Sequence, residues 1–118
     1  MNDQRAIQVF LDAVGTWDLD NSSAASLVGS TSSMIGDWRS GNSVATTEEI
    51  LVRMLIVAHI RTALDICWSE VIAKEWIRLP NRGEPYKGLS PAAYIAEHGW
   101  PGLYWVLCQV QACAVGNL

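Results

Sequence analysis

The chain has little positive charge. Its 118 residues include 8 Lys and Arg against 12 Asp and Glu, which gives a formal net charge of -4. A general affinity for nucleic acid requires clustered Lys and Arg, because these side chains displace the counterions of the phosphates. The negative net charge therefore excludes a broad nucleic-acid-binding surface. Any contact with DNA must come from one small face of the protein.

Residues that carry catalytic or metal chemistry are also scarce. The sequence contains none of the motifs GxxxxGK[ST], GxGxxG, HExxH and GxSxG. The only histidines are His59 and His98, and nothing in the sequence pairs either with an orienting group and a cysteine. His98 precedes Gly99, where a cation favours the C-terminus of a helix. We expect no enzymatic activity, no cofactor and no metal.

The three cysteines, Cys67, Cys108 and Cys113, form no CxxC pair and lie on apolar helical stretches. A buried thiol that acts as a small hydrophobe is the common role in such places. Residues 1–10 carry polar and charged side chains instead of the apolar stretch of a signal peptide. We expect a reduced, cytoplasmic protein.

No apolar run is long enough for a membrane span. The most apolar segment, residues 50–67, is interrupted by Arg53, His59, Arg61 and Asp65, whereas a span needs about 20 predominantly apolar residues.

With 50% hydrophobic residues and 17% charged residues, the chain should instead bury a core as one folding unit. Six tryptophans favour association with a partner.

Helical periodicity and helix-ending residues divide the first half of the chain. Apolar residues from Ile7 to Val14 predict a first helix ended by Gly15. Two short helices follow, one before Gly29 and one over residues 31–39 with Ser30 as its N-cap. A capping box of Thr46 and Glu49 predicts the start of a long helix that runs to about residue 67.

The second half follows the same pattern. Residues 70–78 form a short amphipathic helix with Val71, Ile72, Trp76 and Ile77 apolar, and residues 82–89 form a loop. Ser90 and Pro91 begin a helix to residue 98, and a last helix ends at residue 116. No strand pattern occurs, so the predicted fold is all-α.

Residues 21–38 resemble a helix-turn-helix in which Gly29 is the turn residue. The predicted DNA-binding residues are those at the start and end of its second helix: Ser30, Thr31, Ser32, Ser33 and Arg39. Between residues 18 and 41, three aspartates oppose the single Arg39, a balance of 1 minus 3, or -2. A lone subunit should bind DNA poorly, and the two helices could instead serve only to pack a bundle.

The stretch from Trp76 to Pro91 reads WIRLPNRGEPYKGLSP. A tryptophan, a Pro-Asn pair, a glycine in a loop and Ser-Pro at a helix start follow in order, and Gly116 lies near the C-terminus. This order resembles the toxin-binding domain of Xre/MbcA/ParS-type antitoxins. The residues that carry the resemblance are Trp76, Pro80, Asn81, Gly88, Ser90, Pro91 and Gly116.

The resemblance implies a type II antitoxin whose partner is a RES-fold toxin that consumes NAD. In that family the C-terminal region covers the entrance to the toxin's active site, and the complex represses its own operon through the helix-turn-helix. It divides this chain into a helix-turn-helix lobe, residues 1–45, and a connecting helix with a toxin-binding lobe, residues 46–118. The implied toxin-binding residues lie on the loop and the C-terminal tail: Arg78, Asn81, Arg82, Tyr86, Lys87, Gly88, Gly116, Asn117 and Leu118.

Two features support a partner independently of the family. Trp100, Tyr104 and Trp105 cannot all share the apolar stripe of the last helix, so another helix covers them or they anchor an interface. The basic residues Lys74, Arg78, Arg82 and Lys87 either meet an acidic toxin rim or form a solvated face. From the residues alone, Asn81 is expected to cap backbone groups and Trp76 to be core.

We expect a homodimer and a hetero-oligomer with the toxin. The first alternative is a stand-alone transcriptional regulator that dimerises through its C-terminal helices. The second is a small helical enzyme that uses Cys67 or His59.

Overall fold

The computed structural model describes residues 3–42 and 45–116, and within them it contains seven α-helices, one 3₁₀ turn and no strand. The prediction of an all-α fold is confirmed. The helices are α1 (Asp3–Thr16), α2 (Asn21–Val28), α3 (Ser32–Arg39), α4 (Glu48–Cys67), α5 (Glu70–Glu75), α6 (Pro91–His98) and α7 (Trp100–Gly116), and the 3₁₀ turn is Trp76–Arg78.

Two predicted helix starts are wrong by one residue. The N-cap of α3 is Thr31, whose hydroxyl accepts a hydrogen bond from the Met34 N–H, and not Ser30. The N-cap of α4 is Thr47, whose hydroxyl accepts from the Ile50 N–H over 3.2 Å. Adjacent hydroxyl residues compete for the cap, and the one with extended backbone at the boundary satisfies the orphan N–H groups.

The capping box at the start of α4 therefore does not form. With Thr47 as the cap, Glu49 is the second residue of the helix and reaches forward instead of back. Its carboxylate pairs with Arg53, one helical turn later, over 2.7 Å.

Gly15 does not end the first helix, which continues to Thr16. The chain turns at Trp17 and Asp18, and the Leu19 N–H donates to the Val14 carbonyl oxygen over 3.0 Å. Glycine ends α2 as predicted, because Gly29 adopts the left-handed conformation (φ 70°) that side chains disfavour.

The long helix α4 is the centre of the structure, and α1 and α7 both pack on it. Helices α4 and α7 run in the same direction. Arg53 near the start of α4 lies over the Trp100 ring at the start of α7, and Cys67 at the end of α4 contacts Val110. Residues 78–90 lie alongside the middle of α7, where Tyr86 contacts Trp105 and Gln109.

Buried side chains of the first 42 residues join those of the C-terminal helices in one apolar cluster. Phe10 and Trp17 belong to this cluster together with Ile60 and Leu103. Helix α2 also contacts α6 directly. The segments predicted as two lobes thus pack against each other, and the boundary at residue 45 stays a prediction.

Among the helices in the described part of the chain, none is both long enough and apolar enough to cross a membrane.

Candidate partner-binding surface

The loop between the 3₁₀ turn and α6, residues 79–90, is closed by hydrogen bonds of Asn81. The Asn81 N–H donates to the Leu89 carbonyl oxygen over 3.1 Å, and the Asn81 carbonyl oxygen accepts from the Gly88 N–H over 2.8 Å. The side-chain Oδ1 accepts from the Gly83 N–H over 2.9 Å. As expected from the residues alone, Asn81 caps backbone groups and so fixes the shape of the loop.

A tight turn forms the tip of the loop. The Gly83 carbonyl oxygen accepts from the N–H groups of Tyr86 and Lys87 over 3.0 and 3.2 Å. Lys87 and Gly88 both have positive φ, 52° and 94°. Gly88 is suited to this place because it has no Cβ to strain the backbone.

Tyr86 anchors the loop to the core. Its side chain is only 1% exposed, and its ring meets Trp76, Tyr94 and Trp105 edge-on at centroid distances of 6.1, 5.3 and 5.8 Å. Its hydroxyl donates to Oε1 of Gln109 on α7. Burial raises the pKa of Tyr86 well above its ordinary value.

The burial of Tyr86 changes the role expected for it. A side chain covered on every side cannot contact a partner, so Tyr86 positions the loop and does not belong to the contact surface. Its neighbours in the loop, Lys87 and Gly88, are exposed. Trp76, expected in the core, is half-buried and packs against it.

Three basic side chains around the loop, Arg78, Arg82 and Lys87, are exposed and form no ion pair or hydrogen bond within the described residues. Lys74, by contrast, pairs with Glu70 over 3.2 Å. From residue 74 to residue 88, four basic and two acidic residues give a local charge of +2, whereas the whole chain carries -4. The surface around the loop is therefore positive on an acidic protein.

An apolar cleft borders the same loop. It has a volume of about 210 Å³ and is lined by Ile72, Glu75, Trp76, Leu79, Pro80 and Asn81. Ile72 and Leu79 are each 46% exposed, and the neighbouring Val71 is 67% exposed. The apolar residues of this segment do not all face inward, because Ala73 and Ile77, four residues apart, form the buried stripe. That spacing was visible in the sequence and would have identified Val71 and Ile72 as outward-facing.

A second, larger cleft of about 430 Å³ also borders the loop. Its lining includes Glu84, Lys87, Tyr94, Glu97 and His98. The His98 ring packs on the Tyr94 ring at 4.3 Å, near the end of α6. The loop thus borders two clefts, and side chains of both charge signs line the larger one.

One of the other implied binding residues, Gly116, lies at the end of α7. Gly116 is the last residue of that helix and is exposed, whereas Asn117 and Leu118 lie outside the described residues. Gly116 follows Gln109 by seven residues, which corresponds to about 10 Å along a helix axis. Gly116 therefore lies about two helical turns beyond Gln109, the residue of α7 that Tyr86 of the loop contacts.

The three aromatic residues of α7 have different environments. Trp105 packs on Tyr86 and Tyr94, so it is partly covered within the chain. Trp100 and Tyr104 stack on each other at 6.2 Å and are 41% and 53% exposed. Arg53 covers part of Trp100, with its guanidinium 5.9 Å from the ring centroid.

Only some of the predicted DNA-binding side chains are free to contact DNA. Ser32 and Ser33 are exposed at the start of α3, but the Thr31 hydroxyl is used as the N-cap. The Ser30 Oγ atom is buried and has no hydrogen-bond partner among the described residues, so it faces the protein interior. Arg39 donates to the Asn21 side chain and, over 3.0 Å, to the Leu19 carbonyl oxygen.

The environment of Cys67 disfavours nucleophilic chemistry. Its Sγ donates to the Val110 carbonyl oxygen over 3.4 Å. Burial, followed by a hydrogen bond with Cys113, raises the pKa of the Cys67 thiol to about 11. The reactive thiolate is therefore a minor species at neutral pH. In residues 3–42 and 45–116, no group of three or more His, Cys, Asp and Glu residues is placed to hold a metal ion.

Comparisons with known proteins give one informative result. No protein-family model and no curated protein matches the sequence. Among solved structures, a chain from the crystal structure of the M. tuberculosis MbcT-MbcA toxin-antitoxin complex matches with a TM-score of 0.63 and 20% sequence identity. The match covers 95% of this chain and 96% of the other. The two chains therefore share a fold over nearly their whole length, which confirms the predicted resemblance at the level of the fold.

Proposed function

We propose that this chain is the antitoxin of a toxin-antitoxin pair and acts by binding a toxin protein, without catalysis of its own. The observation that carries the proposal is the fold shared with a chain of the MbcT-MbcA complex. The sequence order from Trp76 to Pro91 resembles Xre/MbcA/ParS-type antitoxins independently of that comparison. Two different properties of the chain thus favour the same class of protein.

The proposed toxin is a RES-fold enzyme that consumes NAD, as the sequence resemblance implies. The loop of residues 79–90, with Arg78 beside it, and the end of α7 cover the entrance to its active site. Tyr86 and Asn81 fix the loop before binding, so little conformational entropy is lost on association. Inhibition by coverage requires a well-packed interface and no reaction.

The direct test is rescue from toxicity. The product of the neighbouring reading frame is expressed from an inducible promoter, with and without this chain, and cell survival and NAD content are measured. We expect growth arrest and loss of NAD with the neighbour alone, and recovery of both when the chain is present. Equal killing in the presence and absence of the chain contradicts the antitoxin role.

The role of the tail has its own test. A variant that lacks residues 116–118 should neutralise the toxin less well, because these residues belong to the region proposed to cover the toxin's active site. Its fold should be unaffected, because terminal residues add little to a core. Its melting temperature should match that of the full chain. Removal of residues 1 and 2 is the matched control, which shortens the other terminus and should preserve neutralisation.

Repression of its own operon is the second part of the proposal. The toxin-antitoxin complex, with the antitoxin as a homodimer, would bind operator DNA through α2 and α3, where Ser32 and Ser33 reach the DNA. The local acidity around α3 suggests that the assembled complex binds more tightly than the chain alone.

A gel-shift experiment at stated salt checks this second part. Ser32→Asp with Ser33→Asp should abolish the shift, since two carboxylates repel phosphates while they favour the N-terminus of α3. Ser22→Asp, an exposed position on α2, is the control for charge alone. Tight, specific binding by the isolated chain would favour a stand-alone regulator instead.

A further inference from the structure

Four large apolar side chains are exposed close together in the chain around α5. Trp68, Val71, Ile72 and Leu79 have exposed fractions of 43%, 67%, 46% and 46%, and we call them the α5 surface. Val71 and Ile72 are adjacent on the helix, and Ile72 and Leu79 line the same cleft. Exposed apolar residues are ordinary when scattered singly, but a group of this kind marks an interaction site.

The α5 surface continues into the loop that the proposed function assigns to the toxin. Asn81 lines the apolar cleft together with Ile72 and Leu79, and the same residue closes the loop. Arg78 lies between α5 and the loop, and Arg82 follows within it. Neither guanidinium has a partner in the described part of the chain, so two unpaired positive charges flank the apolar cleft, which Glu75 also lines.

We infer that the α5 surface is the anchoring half of the toxin interface, and that the toxin presents there an apolar patch bordered by carboxylates. This inference rests on the proposed function and adds the chemistry of the partner. Burial of Val71 and Ile72 supplies affinity by removal of apolar area from water. Arg78 and Arg82 favour a toxin whose apolar patch is bordered by carboxylates, and their charge raises the rate of association with it.

Charge argues against a second copy of this chain as the occupant. A symmetric dimer formed through this surface places each patch against itself. Residues 70–90, which contain α5 and the loop, include four basic and three acidic residues, a local charge of +1, so two copies would bring like charges together. A toxin with acidic residues has no such penalty.

The test measures binding of purified variants to the purified product of the neighbouring reading frame by surface plasmon resonance at low and high salt. Val71→Gln with Ile72→Gln removes the apolar centre, while glutamine keeps a good helix propensity. Arg78→Glu with Arg82→Glu replaces the two positive charges beside the α5 surface with negative charges. The matched controls are Val52→Gln, a 40% exposed residue on α4, and Arg5→Glu, an exposed arginine on α1.

We expect the glutamine pair to weaken binding about tenfold or more, chiefly through faster dissociation. The glutamate pair should slow association and remove most of its dependence on salt. The controls should bind like the unaltered chain. All variants should melt at the same temperature, because the replaced side chains are exposed.

Two failures are distinguishable. If the unaltered chain does not bind the neighbouring product, the proposed function and this inference fall together. If it binds and both double variants bind equally well, only the inference falls. Loss of self-association in the glutamine pair, measured by sedimentation, with toxin binding intact, would assign the α5 surface to a second copy and overturn the inference.

Discussion

At the scale of single residues, the position of the candidate loop depends on Tyr86. Its ring fills a space among Trp76, Tyr94 and Trp105, and its hydroxyl reaches Gln109 on α7. A polar group buried in an aromatic cluster is stable only when it has a hydrogen-bond partner. The Tyr86–Gln109 hydrogen bond therefore joins the loop to the last helix.

Removal of that hydroxyl should lower stability slightly. Tyr86→Phe keeps the aromatic packing and loses the bond to Gln109, for an expected decrease of about 1 kcal/mol in the free energy of unfolding. Chemical denaturation measures this difference. Tyr104→Phe is the control, because Tyr104 is 53% exposed and its hydroxyl makes no hydrogen bond with described residues. An equal loss in the two variants would contradict the role of the bond.

The raised pKa of Tyr86 predicts a dependence of stability on alkaline pH. Burial, and then repulsion from Tyr94, holds its pKa above the ordinary 10.0. Below pH 10 the phenol is neutral in the folded and the unfolded chain, so stability does not change. Above pH 10 the unfolded chain releases the proton first, and the free energy of unfolding falls. Denaturation at pH 9 to 11 should show a smaller fall in Tyr86→Phe, and parallel curves would contradict the assignment.

At the scale of elements, the helix boundaries are decided by individual caps. Ser90 and Pro91 begin α6 as predicted, and the Ser90 hydroxyl accepts from the Ala93 N–H over 3.0 Å. Ser69 occupies the same position before α5 but forms no capping hydrogen bond. The start of α6 is therefore held more firmly than the start of α5, which carries the exposed apolar surface.

This pair of serines allows a matched comparison. Ser90→Ala should lower the free energy of unfolding by about 1 kcal/mol, because an N–H at the start of α6 loses its partner. Ser69→Ala should change it little, because no side-chain bond is lost. Thermal denaturation of both variants checks the difference, and similar melting temperatures would show that capping at residue 90 contributes nothing.

At the scale of the whole molecule, both halves of the chain contribute to one core. Helix α1 covers one side of α4 and α7 covers another, while α2 contacts α6. Separation of residues 3–42 from the rest would expose Phe10, Trp17 and the face of α4 that α1 covers. Apolar burial shared in this way couples the stability of the two halves.

The shared core predicts one cooperative unfolding transition. Calorimetry should show a single peak whose calorimetric and van't Hoff enthalpies agree. The fragment of residues 46–118 should be less stable than the full chain, because α4 loses the cover of α1. Two separate transitions would instead support the division into independent lobes at residue 45.

The sequence by itself determined the helices and their order, because helix ends depend on neighbouring residues. Gly29, Ser90, Pro91 and Gly99 act through their own backbone preferences or through atoms three residues away. The exceptions include the end of α1, which continues past Gly15 to Thr16. They also include the starts of α3 and α4, where two adjacent hydroxyl residues were equally good caps.

Only the tertiary structure decided which residues of the candidate surface are accessible to a partner. Tyr86 and Lys87 are neighbours in one loop, yet one is buried and the other exposed. The cause is contact with residues far away in sequence, Trp105 and Gln109, which no local pattern specifies. Likewise, α7 covers α4 while no described helix covers Val71 and Ile72, since exposure is a property of the assembled helices and not of any one of them.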